Sequence, residues 1–126
     1  MKGTISSKEE INILFETGKK VGTASMVALI KRRQDPEGKE IIGQSGGRIA
    51  VIAGKRLGNA PQRSKAKRRI REAARLAGAP WQGYDVVLIA REGIKQAGFE
   101  MIVKDMGRIT VAIHRVEEEA ESRSQR

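Results

Sequence analysis

Residues 55–75 carry nine lysines and arginines against one glutamate, a charge of +8, yet the same stretch spaces Ala66, Ile70, Ala73 and Ala74 as one face of a helix. At 100° per residue these four and Ala77 fall within a sector of about 100°. Lys65, Lys67, Arg68, Arg69, Arg71 and Arg75 fan over the opposite side. Asn59 is a natural N-cap, and Pro61 is tolerated in a first turn. The pattern predicts a helix from there to about Ala77. Its small apolar residues let it sit close to a sheet, and its outer face stays cationic. The rest of the chain has to supply that sheet.

The whole chain of 126 residues has a formal net charge of +10, so only +2 lies outside this stretch, and residues 117–126 are acidic. Charge concentrated in this way points to a polyanion, because cations near phosphates gain affinity by releasing condensed counterions. Other chemistries are restricted. There is no cysteine, one histidine (His114) and only four aromatic rings, Phe15, Phe99, Trp81 and Tyr84. Disulfides, thiol catalysis, cysteine-based zinc sites and multi-histidine metal centres are therefore not available. The run Gly43-Gln-Ser-Gly-Gly47 lacks the Gly-Lys-Ser/Thr ending of a phosphate loop and reads as a turn. His114 lies beside an apolar stripe and reads as structural. The scattered carboxylates read as solvated, so no catalytic residue and no metal site is expected. No run approaches the roughly 18–20 apolar residues of a membrane span. Residues 1–10 do not have the pattern of a signal peptide, so a soluble cytoplasmic protein is expected.

The remaining elements follow from local pattern. Ser7-Lys-Glu-Glu10 has the form of a capping box. Ile11, Leu14 and Phe15 then share a helical face and Gly18 ends it, which gives a helix over about residues 8–17. Met26-Val-Ala-Leu-Ile30 reads as a buried strand. Asp35-Pro-Glu-Gly38 reads as a turn, followed by Ile41-Ile42 and a strand at residues 48–53. The expectation is antiparallel strands joined by a hairpin. Tyr84-Asp-Val-Val-Leu-Ile-Ala90 reads as a central strand, with Trp81 and Tyr84 anchoring its start. Phe99, Ile102, Met106, Ile109, Ile113 and Val116 recur at helical spacing, although residues 109–113 alone favour a strand. A helix over about residues 96–117 is predicted, with residues 118–126 a disordered tail. The order α-β-β-β-α-β-α describes an α+β sandwich of the α/β class, a single domain over residues 1–117.

The stretch KRLGNAPQRSKAKRRIRE, residues 55–72, resembles the signature of the bacterial ribonuclease P protein subunit family. That signature is a Lys-Lys/Arg-x-Gly-x-Ala lead-in followed by Arg-Asn-Arg-x-Lys-Arg-x-x-Arg-Glu, and Gly58, Ala60, Arg63, Lys67, Arg68, Arg71 and Glu72 match it. Ile11-x-x-x-Phe15-x-x-Gly18 is similar to the family's first helix. Tyr84-Asp-Val-Val-Leu-Ile-Ala-Arg91 is similar to its central strand and exit. The resemblance covers about residues 5–117.

The resemblance implies a mixed sheet with a left-handed β-α-β crossover, against the usual right-handed rule. It also implies an RNA partner that is itself the catalyst and cleaves precursor tRNA with magnesium ions to release the 5′ leader. The protein would bind that RNA through Lys55, Arg56, Asn59, Arg63, Lys65, Lys67, Arg68 and Arg71. It would hold the leader in a cleft between the first helix and the sheet, lined by Ile11, Phe15 and Met26. Ser64 and Lys65 stand where the family has Asn and a second Arg, and Lys65 lacks the planar fork of arginine. Ile11 and Met26 stand where the family usually has aromatics, which leaves Phe15 as the ring for stacking. A structural ribosomal or RNA-chaperone protein is the alternative. A helix-in-groove DNA binder is less consistent, because no paired helix precedes the basic one.

Overall fold

The computed structural model describes residues 4–5, 7–33 and 46–124, with the side chains of residues 120–124 outside that description. Its elements are α1 (Lys8–Thr17), β1 (Lys19–Gly22), β2 (Met26–Arg32), β3 (Arg48–Ile52), a 3-10 turn at Lys55–Leu57, α2 (Ala60–Leu76), β4 (Tyr84–Ala90), a second 3-10 turn at Glu92–Lys95, and α3 (Phe99–Ser124). The four strands form one mixed sheet in the order β1-β2-β4-β3.

The expected hairpin between residues 26–30 and 48–53 does not form. β4 lies between those two segments, antiparallel to β2 (Met26 opposite Ala90) and parallel to β3 (Arg48 opposite Asp85). The reason is that β4 buries its first five residues, and a strand buried on both faces belongs in the middle of a sheet. Residues 26–30 pair on their other edge with β1, which local pattern did not suggest. Asp35-Pro-Glu-Gly38, Ile41-Ile42 and the start of the glycine run lie outside the described residues. Gly47 is explained by a close approach: a Cβ there would lie 1.7 Å from the Trp81 carbonyl oxygen.

One sheet face is covered by α2 and α3. Met26, Ala28 and Ile30 of β2 and Val86 and Leu88 of β4 meet Ala66, Ile70, Ala73 and Ala74 of α2 there. Ile102, Met106, Ile109 and Ile113 of α3 complete this larger core. Trp81 and Tyr84 are buried in it, as the sequence suggests. α2 starts with a full capping box, in which Asn59 and Gln62 exchange side-chain-to-backbone hydrogen bonds at 3.0 Å.

The helical reading of residues 109–113 holds, but the boundaries of α3 differ. It begins at Phe99, which is exposed, and runs to Ser124, through the segment expected to be a tail. Glu and Ala are strong helix formers, and Glu119 pairs with Lys19 of β1 at 3.7 Å. No helix among the described residues is long and apolar enough to cross a membrane.

The other sheet face carries only α1 and a smaller cluster of Ile5, Leu14, Leu29, Ala50 and Val87, flanked by Ile11, Ile52 and Ile89. Ser7 caps α1 by accepting from the Glu10 amide at 3.4 Å. Glu10 does not return the bond in the described structure; its carboxylate pairs with Arg48 instead.

Candidate nucleic-acid interface

The outer face of α2 is set by the burial of its inner one. With Ala66, Ile70, Ala73 and Ala74 against the sheet, Lys65, Arg68, Arg71 and Arg75 are exposed, and Arg63, Lys67 and Arg69 lie half-buried at the flanks. Two of these cations are used within the protein. Arg69 donates to the carbonyl oxygens of Ile94 (3.1 Å) and Ala97, pinning α2 to the segment after β4. Arg75 pairs with Glu72 one turn earlier, and its hydrogen bond holds the Glu72 carboxyl below the usual carboxylate range. Among the described residues none of Lys55, Arg56, Lys65, Lys67, Arg68 and Arg71 is paired with a carboxylate. These six present uncompensated positive charge on two adjoining elements. Asn59 is exposed beside them, but its side-chain oxygen is used in the helix cap.

A cleft of about 840 Å³ opens where β3 and β4 end. Arg56 from the first 3-10 turn, Arg91 from the exit of β4 and Arg108 from α3 line it, above the apolar side chains of Ile52 and Ile89. Arg91 donates to the Thr23 carbonyl at 3.0 Å. Ile52 and Ile89 also flank the cluster under α1, so the cleft continues along the α1 face of the sheet. Arg91 and Arg108 were not among the expected site residues. Arg91 could have been suspected as a cation directly following a buried strand. Arg108 carries no local signal and reaches the cleft only through the packing of α3.

Of the three residues expected in a cleft beside α1, the structure brings two together. Ile11 packs on the smaller cluster, and Phe15, one turn later, is 54% exposed on the flank of α1. Met26 is the exception. It is fully buried in the larger core, on the opposite face of the sheet. Strand side chains alternate, so Leu29 faces α1 while Met26, Ala28 and Ile30 face α2 and α3.

The α1 face is braced by charge. Arg48 holds Asp85 with both ends of its guanidinium, at 3.0 and 2.8 Å, and also pairs with Glu10. Arg33 approaches Asp85 at 3.7 Å. The hydrogen bond to Asp85 raises the Arg48 pKa; partial burial opposes it and Glu10 adds to it. This links α1, β3 and β4 at the end of the sheet where the 3-10 cleft is not.

The sequence profile described as Ribonuclease P matches residues 2–114. Curated relatives named ribonuclease P protein component include that of Gluconacetobacter diazotrophicus, 33% identical over 106 residues, covering 82% of this chain and 84% of the relative. That of Streptococcus agalactiae is 26% identical over 102 residues, covering 81% and 85%. Among solved structures, the Staphylococcus aureus RNase P protein superposes with a TM-score of 0.71 at 22% identity, covering 89% of this chain and 96% of that one. The Thermotoga maritima RNase P protein, in complex with a fluorophenyl thiourea, gives 0.65 at 22% identity, covering 82% and 92%.

Proposed function

The chain belongs to the ribonuclease P protein family, and from that membership we propose how its surfaces divide the work of an RNA-binding subunit in tRNA processing. It acts with the RNA component of the ribonuclease P complex. In our reading the RNA carries the chemistry with its magnesium ions, and the protein supplies cations where two polyanions must meet. Lys65, Lys67, Arg68 and Arg71 of α2, with Lys55, Arg56 and Arg63, take phosphates of the RNA. The 5′ leader of precursor tRNA runs along the α1 face, past Phe15 and Ile11, into the cleft of Arg56, Arg91 and Arg108. The observation that carries this reading is the adjacency of an uncompensated cationic helix face to a three-arginine cleft that continues beside α1. Family membership does not favour the ribosomal or chaperone alternative.

Adding the purified protein to the catalytic RNA and a precursor tRNA tests the division of labour. Leader release should begin at a lower magnesium concentration than with RNA alone, because bound cations replace part of the counterion requirement. An unchanged magnesium requirement overturns the reading.

The exposure of Phe15 makes a sharper expectation. A fully buried Phe truncated to Ala costs about 3–5 kcal/mol of stability, and a residue 54% exposed should cost about half of that or less. If the ring stacks on a base, Phe15→Ala should weaken binding of leader-bearing RNA by about 1–3 kcal/mol. Binding of the same tRNA without its leader should not change. Equal loss with both RNAs places Phe15 outside the leader's path.

A further inference from the structure

Asp105 is 1% exposed, the most buried charged side chain among the described residues, and the reading above gives it no part. Its Oδ2 accepts from the Ser25 amide at 3.1 Å and the Ser25 hydroxyl at 2.6 Å. Among the described residues no Lys, Arg or His forms an ion pair with it. A buried carboxylate is costly, and an apolar residue would pack more cheaply beside Ile102, Met106 and Ile109. What the carboxylate provides is direction: it fixes Ser25 to α3 through two donors.

Ser25 is the last residue of the turn joining β1 to β2, and that turn is gripped from two other sides. The Ser25 carbonyl accepts from the Arg91 amide at 3.0 Å, and the Thr23 carbonyl accepts from the Arg91 guanidinium. Gly93 lies so close beneath that a Cβ there would sit 2.4 Å from the Ala24 carbonyl oxygen. Thr23 and Ala24 form one wall of the cleft. We infer that Asp105 and Ser25 are positioning residues for leader binding: by fixing the turn at residues 23–25, they aim the Arg91 guanidinium over the cleft. The inference rests on the cleft's proposed role.

The test is a set of variants in the complex reconstituted with the catalytic RNA. Affinity is measured for a precursor tRNA and for the same tRNA without its leader, with thermal unfolding as a folding check. Arg91→Ala should weaken binding of the precursor about tenfold, the scale of one charge-assisted hydrogen bond. Ser25→Ala and Gly93→Ala should each weaken it about three- to tenfold, leaving the leaderless tRNA unaffected. The double variant Ser25→Ala/Arg91→Ala should lose little more than Arg91→Ala alone, since coupled residues are not additive. Asp105→Asn should follow Ser25→Ala; if it does not fold, Ser25→Ala, which removes one small hydroxyl, decides. Additive losses, a loss in Ser25→Ala that is equal with both RNAs, or no loss in Ser25→Ala while Arg91→Ala loses affinity for the precursor alone, overturn the positioning role and leave the cleft reading standing; equal losses with both RNAs in Arg91→Ala overturn both. No loss in either Arg91→Ala or Arg56→Ala overturns the cleft reading and the inference with it.

Discussion

Changing Lys67, Arg68 and Arg71 together to Ala should weaken binding to the RNA component by orders of magnitude at low salt and much less at high salt. Each phosphate contact contributes about 0.7–0.9 to the slope of log affinity against log salt, so loss of three should flatten that slope by about two to three units. Stability should change little, because Arg68 and Arg71 are exposed, Lys67 is half-buried, and none pairs with a carboxylate among the described residues. Arg69→Ala is the contrasting variant. Its guanidinium is engaged with the Ile94 and Ala97 carbonyls, so it should lower stability while leaving the salt slope nearly intact. A titration series of affinity against salt, with unfolding curves for each variant, checks both. An unchanged slope in the triple variant places this face of α2 away from RNA.

Asp85→Ala should give the largest loss of stability among single surface-proximal changes, about 3 kcal/mol. Breaking a buried ion pair costs about 3–5 kcal/mol because the partner charge is left behind. The lower end applies, since the Arg48 side chain is 25% exposed and that of Asp85 12%. Among the described residues Arg48 and Arg33 lose a carboxylate at once, and Arg48 keeps Glu10 there. With a urea m-value of about 1–3 kcal/mol/M, the midpoint should fall by roughly 1–3 M. Combining Asp85→Leu with Arg48→Met should recover part of the loss, because the more buried pair is then removed together, and the partners left behind, Arg33 and Glu10, are more open to water. A midpoint unchanged in Asp85→Ala shows that water already screens the pair.

These two sites differ in how far the sequence announces them. The cationic face of α2 was legible because Ala66, Ile70, Ala73 and Ala74 and the surrounding charges follow one helical period, and burial of the four residues matches it. The spacing of Ile102, Met106, Ile109 and Ile113 likewise outweighed local strand propensity. The run Tyr84–Ala90 was legible as a central strand by its length and apolarity. Strand pairing was not, because short apolar runs carry no information about which neighbour they take. β1 was not legible either: Lys19-Lys-Val-Gly22 is a polar edge segment, placed by its backbone ladder to β2. The family resemblance places Met26 in the cleft beside α1, whereas the structure buries it on the other face, and the local sequence offers no check on that placement. Met26-Val-Ala-Leu-Ile30 has no polar alternation to mark parity, and a shift of one residue inverts the face. Arg48 and Asp85, and Arg91 and Arg108, are separated widely in the chain and meet only once the sheet and α3 are in place.

The place of β4 between β2 and β3 has a consequence for how the chain is made. β2 and β3 do not pair with each other, so the β1–β2 ribbon and β3 cannot join in one sheet until Tyr84–Ala90 has been synthesised. Loop-closure entropy must be met before such non-local pairing is rewarded, and synthesis proceeds from the N-terminus at about 5–20 residues per second. The nascent chain therefore exposes the basic segment at residues 55–75 before it has a surface to lie on, beside a ribosome that is itself largely RNA. Its arrival as a finished subunit depends on the strand that follows the cationic helix.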